Sequence, residues 1–275
     1  MIKNLLFVPN EIKQILKESD AFAAMMHLSG KAFRDVRGRK TMQLNLLGKS
    51  YFIKQHFGVG WLEIIKNLIS FKLPILGAMT EVRAIQKLNE IGIPTTPLVA
   101  YGQRGSNPAN IQSFVFTEDL GNIISLEDLC IDWKKTPPAE KLKRRLIVEV
   151  AKIARKLHEN GTNHRDFYLC HLCLDADLLA KNEIKFYLID LHRVLIHKTI
   201  SMNDNMKDIA ALYFSSMGIG LTTRDLLRFK RYYLPKNVLA NSFWQSVESR
   251  ANKLYRKFHS DKFQQRLAAE KSAIS

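Results

Sequence analysis

Residues 32 to 55 alternate between apolar and polar side chains, which is the period of a half-buried β-strand. The alternation breaks at Arg37-Gly38 and at Leu47-Gly48-Lys49, where glycine permits a tight turn. Three strands are therefore predicted at 32–36, 41–47 and 50–55, joined as an antiparallel meander. The third strand contains Tyr51-Phe52-Ile53-Lys54, in which a lysine directly follows an apolar run.

Helical spacing of apolar residues dominates the rest of the chain. Helices are predicted before the meander at 10–19 and from Ser19-Asp20 onward, and after it at 57–72 and 80–91. Two further strands fit 98–102 and 113–117. Beyond them the pattern is mainly helical, with Ser125 as a helix start and helices at 139–159, 206–217, 223–233 and 242–273. This order predicts an α+β protein with a β-rich lobe at 1–119 and a helical lobe at 120–275.

The long helix at 139–159 is closed by Asn160-Gly161 and leads into Asn163-His164-Arg165-Asp166. A His-Arg-Asp turn in this position is typical of a kinase catalytic loop, whose acid accepts the proton of a substrate hydroxyl. A second acid, Asp190, follows the apolar run Phe186-Tyr187-Leu188-Ile189. We interpret Asp166 as the catalytic carboxylate, flanked by His164 and Arg165, and Asp190 as a ligand of the metal that bridges the phosphates.

The predicted β-rich lobe contains candidates for nucleotide binding. Lys54 either stands where a kinase holds the phosphates or is a solvated lysine at a strand end. Glu81 opens the helix at 80–91, where it would either pair with Lys54 or be a first-turn acid favoured by the helix dipole. The turn at Arg37, Gly38 and Arg39 replaces a glycine-rich loop, and its cations are either phosphate ligands or part of an exposed basic hairpin. Backbone groups of Glu118 and Asp119 would face adenine from the linker between the lobes.

The net charge of +16 and the isoelectric point near 9.8 favour anionic partners such as a lipid surface or an acidic protein. No nucleic-acid recognition motif accompanies the charge, so nucleic acid is not predicted as a partner. Three sparse cysteines fit a reducing compartment, and Cys170-x-x-Cys173 favours core thiols over zinc. The sequence has no run that predicts a signal peptide or a membrane span, so a cytoplasmic protein is expected.

Several longer segments resemble the lipopolysaccharide core heptose(I) kinase family over most of the chain, from about Phe33 to Tyr233. They are Asn163 through His171, Asp190-Leu191-His192-Arg193, Gly58-Val59-Gly60-Trp61-Leu62-Glu63-Ile64-Ile65-Lys66-Asn67, Gly220-Leu221-Thr222-Thr223-Arg224-Asp225, Pro74-Ile75-Leu76-Gly77-Ala78, Gly105-Ser106-Asn107-Pro108-Ala109 and Thr117-Glu118-Asp119-Leu120.

The resemblance implies a protein-kinase-like two-lobed fold and transfer of the ATP γ-phosphate to the first heptose of the inner core. It implies Asp166 as base, Lys54 and Glu81 as the phosphate-holding pair, and Asp190 as a magnesium ligand. His171 stands where protein kinases use a second metal-binding residue. It also implies a peripheral position on the cytoplasmic face of the inner membrane. The amphipathic pattern of the helix at 57–72 fits either a helix that touches the bilayer or a partner, or one that packs on the protein core.

Other functions stay open on the residues alone. A kinase fold with this loop could act on a Kdo sugar, an aminoglycoside or a protein. A catalytically silent module that binds an acidic partner, for example an acyl carrier protein, is the alternative from a different class, because the Gly-rich loop and the Asp-Phe-Gly sequence are missing. Hydrolase patterns are absent from the sequence.

Overall fold

The computed structural model describes residues 4–16, 18–36, 38–69, 77–199, 201–233 and 241–272. The chain forms two compact units. The first comprises Met1–Ile123 and Tyr187–Val194, and the second comprises Ile124–Phe186 and Leu195–Ser275. Asp190 therefore belongs to the first unit, together with Lys54 and Glu81.

A six-stranded sheet forms the first unit, in the order β1-β5-β6-β4-β3-β2. The predicted meander is confirmed, since β2, β3 and β4 are consecutive antiparallel neighbours. The edge strand β1 was not predicted, and it pairs with β5. The strands are β1 (Leu5–Phe7), β2 (Lys31–Val36), β3 (Arg39–Leu46), β4 (Lys49–His56), β5 (Leu98–Arg104) and β6 (Gln112–Glu118).

The two faces of β4 have different neighbours. Tyr51, Ile53 and Gln55 face a core formed with β6 and helix α2 (Ala21–His27), and Gln55 donates hydrogen bonds to the carbonyls of Met25 and Leu28. Alternation along the strand puts Phe52, Lys54 and His56 on the opposite face. One face thus stabilises the unit, and the other carries the predicted phosphate-binding lysine.

Three further helices belong to the first unit: α1 (Asn10–Ile15), α3 (Gly60–Ile69) and α4 (Met79–Glu90). In α3, Ile64 is buried whereas Trp61, Leu62, Ile65 and Ile69 are exposed. The predicted helix at 57–72 is thus present, and its last residues lie outside the described ones, as does Pro74 of the quoted segment.

The second unit is mainly helical. Helix α6 packs on α9, and α8 packs on α10. Short strands β8 (Thr162–Asn163) and β11 (Leu195–Ile196) pair beside the His-Arg-Asp turn. The remaining strands of the chain are β9 (Leu172–Asp175), which lies in this unit, and β7 (Ile123–Ser125) and β10 (Phe186–Leu188), each of which has residues assigned to both units. The helices are α5 (Leu126–Leu129), α6 (Glu140–Glu159), α7 (Ala176–Ala180), α8 (Met202–Ser216), α9 (Thr223–Tyr233), α10 (Asn241–Phe258) and α11 (Asp261–Ser272).

The segment Gly220–Asp225 has a structural role at the start of α9. The Asp225 amide donates to the Thr222 hydroxyl, and the Thr222 amide donates back to the Asp225 carboxylate, as in a capping box. Buried Asp225 also pairs with Lys143 of α6. Burial opposes ionisation of Asp225, but the hydrogen bonds from Thr222 and Lys143 outweigh it and lower the pKa below its ordinary value. The segment therefore fixes α9 on α6.

All three cysteines are free thiols. Burial raises the pKa of Cys130 to about 12 and that of Cys173 to about 11, so both are protonated and unreactive at neutral pH. The described residues contain no group of three or more side chains suited to holding a metal ion. Among the same residues no helix is both long and apolar enough to cross a membrane.

Candidate active site

Lys54 and Glu81 form the expected ion pair. The Lys54 Nζ lies 2.5 Å from Glu81 Oε1, and the carboxylate is nearly inaccessible to solvent while the lysine is partly accessible. Breaking such a pair on one side would leave a buried charge unmatched. The pair therefore holds the lysine ammonium at a defined point on the sheet face.

Ser113 sets the position of the helix that carries Glu81. Its hydroxyl, fully buried on β6, accepts a hydrogen bond from the Ala78 amide at the start of α4. A Cβ on Gly77 would lie 2.5 Å from that hydroxyl, so the approach needs a glycine. This contact was not predicted, because a serine within a strand has many possible roles.

The turn between β2 and β3 approaches the segment before α3. Gly38 has a φ of +81°, and a Cβ there would lie 2.6 Å from the Gly58 carbonyl oxygen. The Phe57 amide donates to the Gly38 carbonyl at 2.9 Å. Arg37, also predicted at this turn, lies outside the described residues. Gly38 is thus needed for a tight backbone crossing, and its role toward phosphate stays a prediction.

Glu118 is the last residue of β6 and Asp119 follows it, and the backbone amides of both are already hydrogen-bonded. The Glu118 amide donates to the Pro97 carbonyl, and the Asp119 amide donates to the Ser50 carbonyl. The Asp119 carboxylate accepts from Gln43, Ser50 and the Gly121 amide. Burial opposes its ionisation, but these bonds outweigh burial and lower its pKa. The structure therefore ties Asp119 to the sheet; an adenine contact remains a prediction.

Two groups on the Lys54 face were not predicted as a pair. Arg39 of β3 lies directly opposite His56 of β4, next to the Thr41–Lys54 pair. His56 is 3% exposed. Burial, followed by the charges of Arg39, Lys54 and His192, lowers the pKa of His56 to about 3, so it is neutral at physiological pH.

Asp190 follows β10 in a left-handed conformation, with φ 58° and ψ 56°. Leu188, just before it, is tied to the first unit by hydrogen bonds with Pro94 and Thr95. The His192 Nδ1 lies 2.5 Å from Asp190 Oδ1. A non-glycine residue in this conformation is uncommon and is often found at functional sites.

The His-Arg-Asp turn in the second unit is held by Asp208 of α8. This fully buried carboxylate accepts from the His164 amide at 2.7 Å and from the Arg165 amide at 2.8 Å. Arg165 has a φ of 70°, a strained value that these two bonds compensate. The turn leaves Asp166 partly exposed, and its role as a proton acceptor stays a prediction.

His171 closes the same loop. Its Nδ1 donates to the Asp166 carbonyl at 2.7 Å, and its ring stacks on that of His164. The Leu169 amide donates to the Ser215 hydroxyl of α8. With Nδ1 so engaged, the neutral tautomer of His171 carries its lone pair on Nε2.

A buried chain of hydrogen bonds supports Asp208 from behind. The His158 Nε2 lies 3.3 Å from Asp208 Oδ2, and the Tyr233 hydroxyl lies 2.8 Å from His158 Nδ1. Burial and the charge of Asp208 raise the pKa of Tyr233, so its hydroxyl is a donor. All three were missed in the sequence, because Asp208 and Tyr233 lie far along the chain on α8 and α9, and a histidine in the last turn of α6 has many possible roles.

A sheet unit with a Lys–Glu pair and a helical unit with a braced His-Arg-Asp loop define the class of protein-kinase-like phosphotransferases. Residues 23–233 match the lipopolysaccharide kinase (Kdo/WaaP) family, and the chain belongs to it.

Curated relatives agree with this assignment. The chain is 43% identical over 229 residues to the lipopolysaccharide core heptose(I) kinase WaaP of Pseudomonas aeruginosa, covering 83% of this chain and 85% of that protein. It is 46% identical over 215 residues to the protein of the same name from Escherichia coli K12, covering 78% of this chain and 81% of that protein. A solved structure of WaaP in complex with acyl carrier protein superposes with a TM-score of 0.78 at 37% identity, covering 91% of this chain and 99% of that one. These matches support ATP use and a kinase-like fold.

Proposed function

We propose that this protein transfers the γ-phosphate of ATP to a hydroxyl of the first heptose in the lipopolysaccharide inner core. The observation that carries the proposal is the buried Lys54–Glu81 pair, which a silent kinase-like module would not need to keep. The acceptor is inferred from relatives that share 43% and 46% identity and are named heptose(I) kinases.

Each unit supplies a different part of the reaction. In the first, Lys54 binds phosphate oxygens, and Glu81 holds its ammonium in place. In the second, Asp166 accepts the proton of the heptose hydroxyl. The hydroxyl oxygen bonds to the γ-phosphorus as the bond between that phosphorus and ADP breaks. Asp208 keeps the loop backbone in the conformation that presents Asp166.

Asp190 is the residue that suits magnesium. Its carboxylate is a hard oxygen donor, and one carboxylate together with phosphate oxygens is a common magnesium set in nucleotide sites. Bound there, the ion would neutralise charge on the phosphates. His171 offers only nitrogen, which Mg²⁺ disfavours, and its Nδ1 already holds the Asp166 carbonyl. We therefore assign His171 to the loop and Asp190 to the metal.

The test is transfer of labelled γ-phosphate from ATP to purified core lipopolysaccharide that lacks heptose phosphate. Wild-type protein should label the glycolipid, and Asp166→Ala should reduce labelling by about a thousandfold or more. Asp177→Ala, an acid of the short helix α7, is a control that should stay within twofold. Labelling of a different acceptor would overturn the heptose assignment, and failure to bind ATP would favour the silent module.

We also propose that α3 rests on an anionic membrane surface. Trp61 is 54% exposed, Leu62 87% and Ile69 73%, whereas Ile64 anchors the helix in the protein. An exposed apolar helix on a protein of net charge +16 suits the interface of an anionic bilayer, where a glycolipid substrate would reside.

Binding to vesicles of anionic phospholipid, compared with neutral vesicles, tests this position. Leu62→Ser with Ile69→Ser should lower binding several-fold, and Ile131→Ser, which changes an equally exposed residue outside α3, should not. Equal binding of both variants would exclude α3 as the contact. Kinase activity on a detergent-dispersed acceptor should survive in each.

A second proposed partner is an acyl carrier protein, which is the partner of WaaP in the similar solved structure. Here α9 exposes Arg224, Leu227 and Arg231. The second unit also holds a cavity of about 180 Å³ whose walls are mainly apolar, with Leu146, Leu212, Phe229 and Trp244 among them. A basic surface suits an acidic carrier, and the cavity suits its acyl chain.

Pull-down with purified acyl carrier protein, with and without an acyl chain, separates these two contributions. Arg224→Glu with Arg231→Glu should abolish capture of both forms. Arg250→Glu with Lys253→Glu makes the same charge change on α10 and should not. Equal capture of the acylated and the unacylated forms would remove the cavity from the proposal.

A further inference from the structure

On the face of the sheet that carries Lys54, one more pair of opposed residues lies beyond the lysine. On this face the opposed pairs of β3 and β4 follow in the order Gln43–Phe52, Thr41–Lys54 and Arg39–His56. Directly opposed residues project to the same side of a sheet. Successive pairs on one face are about 6.6 Å apart, two residues along the strand. Arg39 and His56 therefore lie next to the lysine, on the side away from Phe52.

Both residues of this outer pair have a buried polar atom that is not hydrogen-bonded. Within the described ranges, the Nε of Arg39 and the Nε2 of His56 lack a partner. None of the carboxylates described forms an ion pair with Arg39, whereas Lys54 has Glu81 and the neighbouring Lys40 has Asp35. Buried polar groups are normally satisfied, so two orphans side by side point to a ligand.

We propose that Arg39 and His56 form the subsite for the terminal phosphate of the nucleoside triphosphate. This inference rests on the proposed binding of phosphates by Lys54. The triphosphate then extends along the sheet face from Lys54 toward the outer pair. The guanidinium supplies a positive charge and N–H donors, and the neutral imidazole donates from Nε2.

The surroundings of His56 agree with an anionic occupant. Burial is the main cause that lowers the pKa of His56 to about 3, and the charges of Arg39, Lys54 and His192 add to it. Lys54 and His192 have carboxylate partners in Glu81 and Asp190, so the charge that a phosphate group would compensate is that of Arg39. A glycine-rich loop would supply backbone amides at this place; here side chains replace them.

The experiment compares binding of ADP with that of a non-hydrolysable ATP analogue by titration calorimetry. Arg39→Gln should weaken the triphosphate about tenfold or more, as expected for loss of a charge-assisted contact, and change ADP less than twofold. Lys40→Gln is the matched control. It removes the same charge one position along β3, from a residue that faces the other side and pairs with Asp35.

His56→Gln is the second variant, checked for folding by its melting temperature, and should show the same selective loss. If it does not fold, Arg39→Gln alone decides. Equal loss of ADP and triphosphate affinity, or no loss, would overturn the subsite. Lys54→Ala distinguishes failure of the proposed nucleotide binding from failure of the subsite alone. If wild-type protein binds neither nucleotide, the proposed function itself fails; if Lys54→Ala loses both nucleotides while Arg39→Gln loses neither, only the subsite fails.

Discussion

The two functional regions use buried polar groups in opposite ways. On the sheet face of the first unit, Arg39, His56 and Glu81 each keep a buried polar atom without a hydrogen-bond partner among the described residues. In the second unit, the Asp208 carboxylate accepts from two loop amides and is backed by His158. Arg39 and His56 of the first region have N–H groups to offer a ligand, whereas Asp208 of the second region uses its acceptors to hold backbone. On our proposal, phosphate binding and positioning of the His-Arg-Asp loop are therefore separated between the units.

The largest effect is expected from Asp208→Ala. The change would leave the amides of His164 and Arg165 buried and unsatisfied, and would release a strained turn. We expect a loss of about 3–5 kcal/mol in the free energy of unfolding and at least a hundredfold fall in kcat. Urea unfolding and steady-state kinetics measure both. Glu149→Ala, a partly exposed acid paired with Lys152, should cost less than about 0.5 kcal/mol. A fully active Asp208→Ala protein would contradict the positioning role.

The second-largest effect is expected from breaking the Lys54–Glu81 pair. Its single and double variants distinguish a change in stability from a change in nucleotide binding. Glu81→Leu alone would strand the Lys54 charge and cost about 2–4 kcal/mol, whereas Glu81→Leu with Lys54→Met should recover most of that loss. Nucleotide binding should be lost in both proteins, because the cation is misplaced in one and missing in the other. A double-mutant cycle of unfolding free energies, with calorimetry of ATP binding, checks this. Additive losses would show that the pair is not coupled.

These cases also show what the sequence could predict. The meander was predicted correctly from strand alternation. The pairing of Lys54 with Glu81 was also predicted correctly, from the order of the elements that carry them. Asp208 was missed because it lies 44 residues from His164, in a helix where an acid resembles any solvated one. His56 was missed because a single histidine at the end of a strand belongs to no periodic pattern that would indicate a role. Their roles depend on tertiary contacts, which local pattern does not encode.

His56 gives a smaller effect that depends on pH. Its folded pKa is about 3 and the ordinary value is 6.5, so below pH 6.5 the unfolded chain binds a proton that the folded protein does not bind. This group therefore lowers stability as pH falls from about 6.5 toward 3, by up to about 1.4 kcal/mol per pH unit. Urea unfolding at pH 7.5, 6.0 and 5.0 should show a weaker pH dependence in His56→Gln. Exposed His27→Gln serves as control and should follow the wild type.

Tyr233→Phe gives the smallest effect and tests how far positioning extends behind the loop. The change removes the hydroxyl that donates to His158, and it keeps the ring packed on Phe229 and Trp244. We expect a loss of about 1 kcal/mol in stability and a several-fold fall in kcat, with the affinity for ATP unchanged. Tyr232→Phe, a change at the exposed neighbour, should alter neither. If kcat is unaffected in Tyr233→Phe, Asp208 holds the catalytic loop without help, and positioning ends at one buried carboxylate.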